Sequence, residues 1–161
     1  MSDFSHINEQ NQPKMVNVSD KKITKRTAIA KATMFLGSEI ISHFTNDELL
    51  TKKGPVFQTA IIAGIQGVKK TSDLIPMCHP LLINGVDIDI NIIDKENIEV
   101  FCKVTITGKT GVEMEALTAA SIAALTIYDM CKSMDKGIVI EELKLLQKSG
   151  GKSGQWSRAN D

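Results

Sequence analysis

Residues 86–107, VDIDINIIDKENIEVFCKVTIT, carry the pattern that decides the fold. Apolar and polar side chains alternate over residues 86–92, which is typical of a strand with one buried face. The polar run at residues 94–97 predicts a turn, and residues 98–107 are predicted to return as a second strand. We therefore expect an antiparallel β-hairpin near the middle of the chain.

The chain before this hairpin predicts one strand and two helices. Small residues alternate with larger or polar ones over residues 27–34, which favours a strand with one small-residue face. Gly37-Ser38 interrupts this pattern, and Ser38 is expected to cap a short helix that runs to Phe44. A second helix is expected to begin at Gly54-Pro55, with the proline in its first turn.

Lysines, prolines and alanines help to predict where the remaining helices begin and end. The second helix is expected to end near Lys69-Lys70, because cations complement a helix C-terminus. The next segment, residues 71–80, contains two prolines that should hold it out of a helix. Residues 110–113 match a capping box ahead of an alanine-rich helix that should reach Lys132. A last strand is predicted over residues 137–147.

This order of elements predicts the fold class. Strand, helices, two strands, helix and strand together indicate an α+β protein. We expect a ferredoxin-like βαββαβ sandwich, in which an antiparallel sheet carries the helices on one face. With 161 residues, the chain fits one domain that is long enough to bury a core.

The composition argues against several classes of protein. The 19 basic and 19 acidic side chains give no formal net charge, so general binding of nucleic acid or of an anionic membrane is not expected. Opposite charges are nevertheless separated, with a basic stretch at residues 14–31 and acidic side chains in the hairpin. Aromatic residues make up 4%, which argues against a platform for base stacking.

The cysteines and the hydropathy of the chain predict its cellular location. Cys78, Cys102 and Cys131 form no C-x-x-C pair, which favours reduced thiols and a cytoplasmic location. The longest uncharged apolar stretch, residues 116–128, is shorter than the about 20 residues that cross a membrane, so no membrane partner is expected.

The glycine-rich segment KSGGKSG, residues 148–154, suggests an anion site. A P-loop requires G-x-x-x-x-G-K-[ST], and the first glycine would fall at position 146, where the sequence has Leu146. The P-loop interpretation therefore fails. Two interpretations remain open: backbone N–H groups and two lysines that bind an anion, or a mobile C-terminal loop.

Other candidate residues also have both a functional and a structural interpretation. His79 can bind a ligand or exchange a proton near neutral pH, or it can be hydrogen-bonded in a rigid turn. Asp129 and Lys132 are either an acid/base couple in which burial lowers the pKa of the lysine, or an exposed ion pair worth about 0.3–0.5 kcal/mol. Lys53 precedes the second helix, where a cation opposes the helix dipole but suits an anionic ligand.

Three stretches together resemble a single family. They are SDLIPMCHP at residues 72–80, the stretch from TGKTGVEMEA at 107–116 through YDMCK at 128–132, and KSGGKSG at 148–154. The chain closely resembles the cyclic pyranopterin monophosphate synthases, the accessory protein C family of molybdenum-cofactor biosynthesis. The resemblance covers nearly all of the chain after the leader. It implies a flexible N-terminal leader over residues 1–14, a single catalytic domain over 15–154 and a C-terminal tail over 155–161.

The resemblance also implies an activity and the residues that carry it. The family's enzymes are lyases that convert (8S)-3′,8-cyclo-7,8-dihydroguanosine 5′-triphosphate to cyclic pyranopterin monophosphate and release pyrophosphate. The implied catalytic residues are Asp129, Lys132 and Lys53. The implied substrate-binding residues are Met77, Cys78, His79, Glu113, Met114, Glu115, Arg26, Lys69, Lys148 and Lys152.

The implied chemistry suits these residue types. Opening a C–N bond needs proton donors and acceptors, and closing a cyclic phosphate needs positive charge around the departing pyrophosphate. No cofactor and no protein-bound metal is required, and a Mg²⁺ ion carried with the triphosphate fits this chemistry. The resemblance further implies a homohexamer, a trimer of dimers, and a functional link to the radical iron–sulfur enzyme that makes the substrate.

One geometric expectation does not depend on the resemblance. Glu115 and Asp129 are fourteen positions apart on one predicted helix, which separates them by about 21 Å. If both line one pocket, the simpler arrangement uses two antiparallel helices from different subunits. We therefore expect an active site shared across a two-fold dimer.

Two other classes of function remain open from the sequence. A non-catalytic oligomeric nucleotide-binding module explains the lysine and glycine clusters equally well. A purely structural assembly protein fits the aliphatic composition and neutral charge, but it leaves Lys53 and the proline-bracketed segment at residues 76–80 without a role.

Overall fold

A five-stranded antiparallel sheet carries two long helices on one face. The computed structural model describes residue 10 and residues 12–159, so the predicted leader at residues 1–14 lies mostly outside the described residues. In chain order, the elements are β1 (Thr24–Phe35), α1 (Ser38–Ser42), β2 (Leu50–Thr51), β3 (Gly54–Pro55), α2 (Val56–Leu74), β4 (Gly85–Ile92), β5 (Asn97–Gly108), α3 (Glu113–Cys131), β6 (Val139–Ser149) and β7 (Trp156–Ser157).

The strand order confirms the predicted fold class. The sheet runs β4-β5-β1-β6-β7, and its four long strands have the ferredoxin-like βαββαβ arrangement with every neighbouring pair antiparallel. The predicted hairpin is β4 and β5, and Asp94 closes its turn by accepting hydrogen bonds from the backbone N–H groups of Glu96 and Asn97. These local bonds replace ladder bonds that cannot form where the chain reverses.

Small side chains allow the helices to lie close to the sheet. The helix-facing side of β1 carries Ala28, Ala30 and Ala32, all fully buried, with Met34 at its end. The buried side of α3 is also mostly alanine, and this helix packs on β1, β5 and β6. With few aromatic side chains available, the core is filled by close approach of the backbones and by aliphatic side chains.

Two glycines bring α2 and α3 together. A Cβ atom on Gly64 would lie 2.6 Å from Ile88 Cδ1 and 3.1 Å from the carbonyl oxygen of Ala119. A Cβ atom on Gly67 would lie 3.0 Å from Ile122 Cγ1. Glycine at these two positions therefore sets the distance between the helices.

The end of α2 differs from the expectation. The helix does not end near Lys69-Lys70 but continues to Leu74, so the predicted non-helical segment at residues 71–80 is wrong over its first four residues. The reason is that Pro76 restricts only the residue before it, and Ile75 has the extended φ and ψ of −109° and 108° that such a residue prefers. Thr71 is buried inside this last turn.

Three predicted helix starts also differ. The capping box at residues 110–113 does not form, because Val112 is the N-cap of α3 and no side chain caps it. Gly37, rather than Ser38, is the N-cap of α1, and its φ of 83° suits a glycine. Pro55 precedes α2 as its N-cap instead of lying in the first turn.

The last strand has the predicted length but lies two residues further along the chain. It covers Val139–Ser149 instead of residues 137–147, because its end pairs with β1 at Thr27. After the glycine loop, Trp156–Ser157 pairs with Gln147 and Lys148 and covers part of the exposed edge of β6.

We expect Gly64→Ala to destabilise the protein although alanine favours a helix. The gain in helix propensity is about 1 kcal/mol, and overpacking against Ile88 and Ala119 costs about 1–3 kcal/mol, so the free energy of unfolding should fall. Urea unfolding measures this change. Gly85→Ala is the control, because nothing lies within 4 Å of its added Cβ. Equal stability of the two variants would contradict the proposed role of Gly64.

Candidate active site

A cavity of about 910 Å³ opens beside the first turn of α3. Four parts of the chain form its wall: residues 16–26, the loop after α2, residues 109–115 and the glycine loop after β6. Nine of the sequence-predicted site residues line it: Arg26, Met77, Cys78, His79, Glu113, Met114, Glu115, Lys148 and Lys152. The fold thus brings together four segments that are far apart in the sequence.

The charge of the cavity suits an anionic ligand. Its lining contains six cationic side chains and three carboxyl groups. Lys21, Lys22 and Lys109 are cations of this wall that the sequence-based site residues did not include. The basic stretch at residues 14–31 was the available signal for two of them, and the segment TGKTGVEMEA at residues 107–116 contains the third, Lys109.

Arg26 connects β1 to the loop before α3. Its Nε donates a hydrogen bond to the carbonyl oxygen of Gly108 at 3.2 Å, and its Nη2 donates to that of Lys109 at 3.0 Å. The guanidinium group lies where a side chain at Gly151 would otherwise stand. The lack of a side chain at Gly151 therefore leaves room for the guanidinium group, whose hydrogen bonds hold the loop before α3 in place.

Glu113 pairs with Lys148 instead of capping its helix. The Oε1 atom of Glu113 lies 2.9 Å from Nζ of Lys148, and both side chains are about a quarter exposed. This ion pair joins the first turn of α3 to the end of β6. A contact between residues thirty-five positions apart has therefore replaced the local capping box.

Glu115 and Cys78 form a less polar part of the cavity. Glu115 is 4% exposed, and burial raises the pKa of its carboxyl group. Burial also raises the pKa of the Cys78 thiol, with a smaller contribution from the charge of Glu115. A carboxyl group in such surroundings can be protonated more readily than one in water, so it can donate as well as accept a hydrogen bond.

Lys53, Asp129 and Lys132 form a second cluster at the other end of α3. Lys53 Nζ donates to Asp129 Oδ2 at 2.7 Å and to the backbone carbonyl oxygen of Asp129 at 2.8 Å. Lys132 Nζ lies 2.7 Å from Asp129 Oδ1. One carboxylate thus holds two ammonium groups side by side, although these lysines are 79 positions apart in the sequence.

The second cluster is exposed to solvent in the described chain. The hydrogen bonds from Lys132 and then from Lys53 lower the pKa of Asp129 to about 2. The same carboxylate raises the pKa of Lys132. The expectation that burial lowers the pKa of Lys132 is therefore wrong for the single chain, because Asp129 stabilises the ammonium form and about half of the lysine side chain is exposed.

The two groups of site residues do not meet within one chain. None of the three residues of the second cluster lines the cavity. Glu115 and Asp129 lie near opposite ends of the same helix, fourteen residues or about 21 Å apart. Lys69 lies on the exposed surface of α2 and does not line the cavity either.

The part of the chain that the structure describes contains neither a convergent metal-ligand set nor a membrane-spanning helix. At residue 10 and residues 12–159, no three His, Cys, Asp or Glu side chains converge as a metal site. Over the same part of the chain, no helix is both long enough and apolar enough to span a membrane.

The fold and the cavity define a class of protein, an α+β protein with a pocket lined by six cationic side chains. The sequence model of the MoaC family matches residues 15–151, and the chain belongs to this family. The chain is 52% identical to the cyclic pyranopterin monophosphate synthase of Bacillus thuringiensis subsp. konkukian (strain 97-27) and 53% identical to that of Bacillus mycoides (strain KBAB4). Each comparison covers 98% of this chain and 99% of the relative.

We expect the carboxyl group of Asp129 to titrate near pH 2, and Lys132→Met to move the midpoint toward the ordinary value of 3.8. Because the pKa is lowered on folding, the stabilisation is present at neutral pH and is lost as the pH falls from 3.8 toward 2. Carboxyl chemical shifts in NMR measure the midpoint. Lys95→Met is the control for loss of a lysine, and a wild-type midpoint near 3.8 would show that the ion pairs do not persist in solution.

Proposed function

We propose that this chain converts (8S)-3′,8-cyclo-7,8-dihydroguanosine 5′-triphosphate to cyclic pyranopterin monophosphate and pyrophosphate. The observation that carries the proposal is the 52–53% identity, over almost the whole of both chains, to relatives named for making this product. The cavity supports it, because a triphosphate needs several cations and six line this wall. The protein would thus be a lyase of molybdenum-cofactor biosynthesis.

The proposed reaction combines ring rearrangement with cyclic phosphate formation. In the second part, a sugar hydroxyl oxygen bonds to the α-phosphorus and the bond from that phosphorus to the β-phosphate oxygen breaks. The hydroxyl proton passes to a base, and pyrophosphate leaves with the bonding electrons. The ring rearrangement needs a proton on the nitrogen that leaves carbon, and an ammonium group can supply it.

The second cluster suits proton transfer and charge stabilisation. We propose that Lys132 and Lys53 present ammonium groups to the reacting atoms and that Asp129 holds these groups in position and exchanges protons with them. The hydrogen bonds of 2.7 Å on both sides of this carboxylate support this arrangement. Among the described residues, the cavity at Glu115 is not lined by Lys53, Asp129 or Lys132, which supports a site completed by a second subunit.

The outer face of α3 supports a shared site. Met114, Thr118, Ser121 and Leu125 follow one another at helical spacing, and the helix has no charged residue between Glu115 and Asp129. Leu125 is 52% exposed in the described chain. We propose that two antiparallel copies of α3 pack through this face, which brings Asp129 of one subunit to the cavity of the other.

The proposal also includes an oligomeric state, a cellular location and a functional partner. We propose a homohexamer made of three such dimers, a cytoplasmic location and a functional link to the radical iron–sulfur enzyme that makes the substrate. The three cysteines, none of them in a disulfide, support a reducing compartment. No resident cofactor takes part, and Mg²⁺ can enter with the triphosphate as part of the substrate.

Purified protein supplied with the cyclised dihydro-GTP should release pyrophosphate and form the pyranopterin product. Lys53→Ala and Lys132→Ala should each lower kcat by at least about a hundredfold, because each removes a proposed proton donor. Lys95→Ala, in the exposed hairpin turn, is the control and should keep full activity. Binding of the substrate without any product would favour the non-catalytic nucleotide-binding module instead.

Mixed subunits should test the shared site. Asp129→Asn and Glu115→Gln proteins should each be inactive, and a 1:1 mixture after subunit exchange should recover about a quarter of the wild-type activity, because half of the dimers are mixed and each contains one intact site. Proven exchange without recovery would argue that both residues act within one subunit.

Leu125→Glu should dissociate the dimer and abolish activity, because it places a charge in the proposed α3 interface. Sedimentation or light scattering measures the mass. Ile93→Glu is the matched control, since Ile93 is 47% exposed but lies beside the hairpin turn. Unchanged mass of the Leu125→Glu protein would exclude this face as the interface.

A further inference from the structure

The ion pair between Glu113 and Lys148 neutralises a cation of the cavity before any ligand binds. Both residues line the cavity, and their charged atoms are 2.9 Å apart. Other cations of the wall are held differently: Arg26 donates to two backbone carbonyl oxygens, and Lys109 donates to that of Ser19 at 2.6 Å. Of the cations that line the cavity, Lys148 is the one that forms an ion pair with a carboxylate among the described residues.

Gly111 accommodates this arrangement. The carboxylate of Glu113 folds back into the space beside Gly111, where any Cβ atom would collide with it. The Glu113 side chain therefore lies beside the N-terminus of α3, where it contacts Lys148 at the end of β6. The pair is partly shielded, with 28% of the lysine side chain and 27% of the glutamate side chain exposed.

Breaking this pair has different consequences for different ligands. A bare polyphosphate that takes Lys148 leaves the Glu113 carboxylate without its partner and close to a new negative charge, which is unfavourable. A ligand that also carries N–H donors, such as the amino and ring N–H groups of a guanine-like ring, gives the carboxylate a new partner. Both halves of the pair are then satisfied again.

We propose that the Glu113–Lys148 pair is a specificity-determining element that favours ligands with both an N–H donor edge and a phosphate chain, and disfavours bare polyphosphates. The choice of ligand rests on the proposed function. For that reaction, the pair would reduce retention of the released pyrophosphate, because pyrophosphate has no donor edge with which to compensate Glu113.

Binding of two stable probes to Glu113→Gln tests this role. Inorganic tripolyphosphate offers the phosphate chain alone, and GTP offers the chain together with a guanine donor edge. In calorimetry on the intact oligomer, the variant should bind tripolyphosphate about three- to tenfold more tightly and GTP about three- to tenfold more weakly than wild type. Opposite shifts are the signature, because misfolding would weaken both probes and simple loss of negative charge would strengthen both.

Three further variants isolate the pair. In a Lys148→Met background, Glu113→Gln should no longer strengthen tripolyphosphate binding, because the competing cation is absent. Glu115→Gln removes another carboxyl group of the cavity and should not reproduce the opposite shifts. Glu142→Gln breaks a Lys–Glu pair of 3.0 Å that does not line the cavity, and both probes should bind it as they bind wild type.

Several outcomes would overturn the proposal. The proposal fails if Glu113→Gln changes the affinity for tripolyphosphate and for GTP in the same direction, or if this variant shows no measurable tripolyphosphate binding. It also fails if Glu115→Gln shows the same opposite changes in affinity, or if Glu113→Gln still strengthens tripolyphosphate binding in the Lys148→Met background. These measurements need no turnover. If the wild-type protein is inactive but Glu113→Gln shows the opposite changes in affinity, only the proposed function is refuted. If the wild-type protein is active but Glu113→Gln does not show them, only the role of the ion pair is refuted.

Discussion

The packing of α3 on the central strand β1 is the constraint on which the rest of the structure depends. Alanines on β1 and α3, and the glycines at 64 and 67 on α2, let three backbones approach more closely than larger side chains would permit. With α3 centred on β1 in this way, its first turn faces β6 and the glycine loop, while its last turn faces the segment before α2. The two groups of site residues therefore lie at opposite ends of one rigid helix.

That geometry gives the two ends of α3 different electrostatic surroundings. At the first turn, Glu115 is buried and its carboxyl pKa is raised, whereas at the last turn Asp129 is exposed between two lysines and its pKa is lowered to about 2. A readily protonated carboxyl group suits ligand recognition, and one that is mostly ionised at neutral pH suits the organisation of ammonium groups. A single subunit holds both environments but cannot present them to one ligand.

Much of the fold could be predicted because its main signals are local. The alternation over residues 86–92 requires a half-buried strand, and the polar turn and second alternation that follow require a hairpin. Helix ends were less predictable. The capping box at residues 110–113 does not form, because Glu113 pairs with Lys148 instead. Helix α2 continues beyond Lys69-Lys70, because the helix propensity of the residues after these lysines allows another turn before Pro76.

The sequence by itself determined the order of the four long strands and the helices, the small-residue face of β1 and the family, because these depend on periodicity and on motifs that are continuous in the chain. Only the tertiary structure decided that Lys53 and Lys132 share one carboxylate, that Arg26 supports the loop before α3, and that Lys109 belongs to the cavity wall. Such contacts join residues dozens of positions apart, and their geometry is set by how closely the helices approach the sheet. The small-residue faces permit that approach, but no local pattern in the sequence specifies which distant side chains then meet.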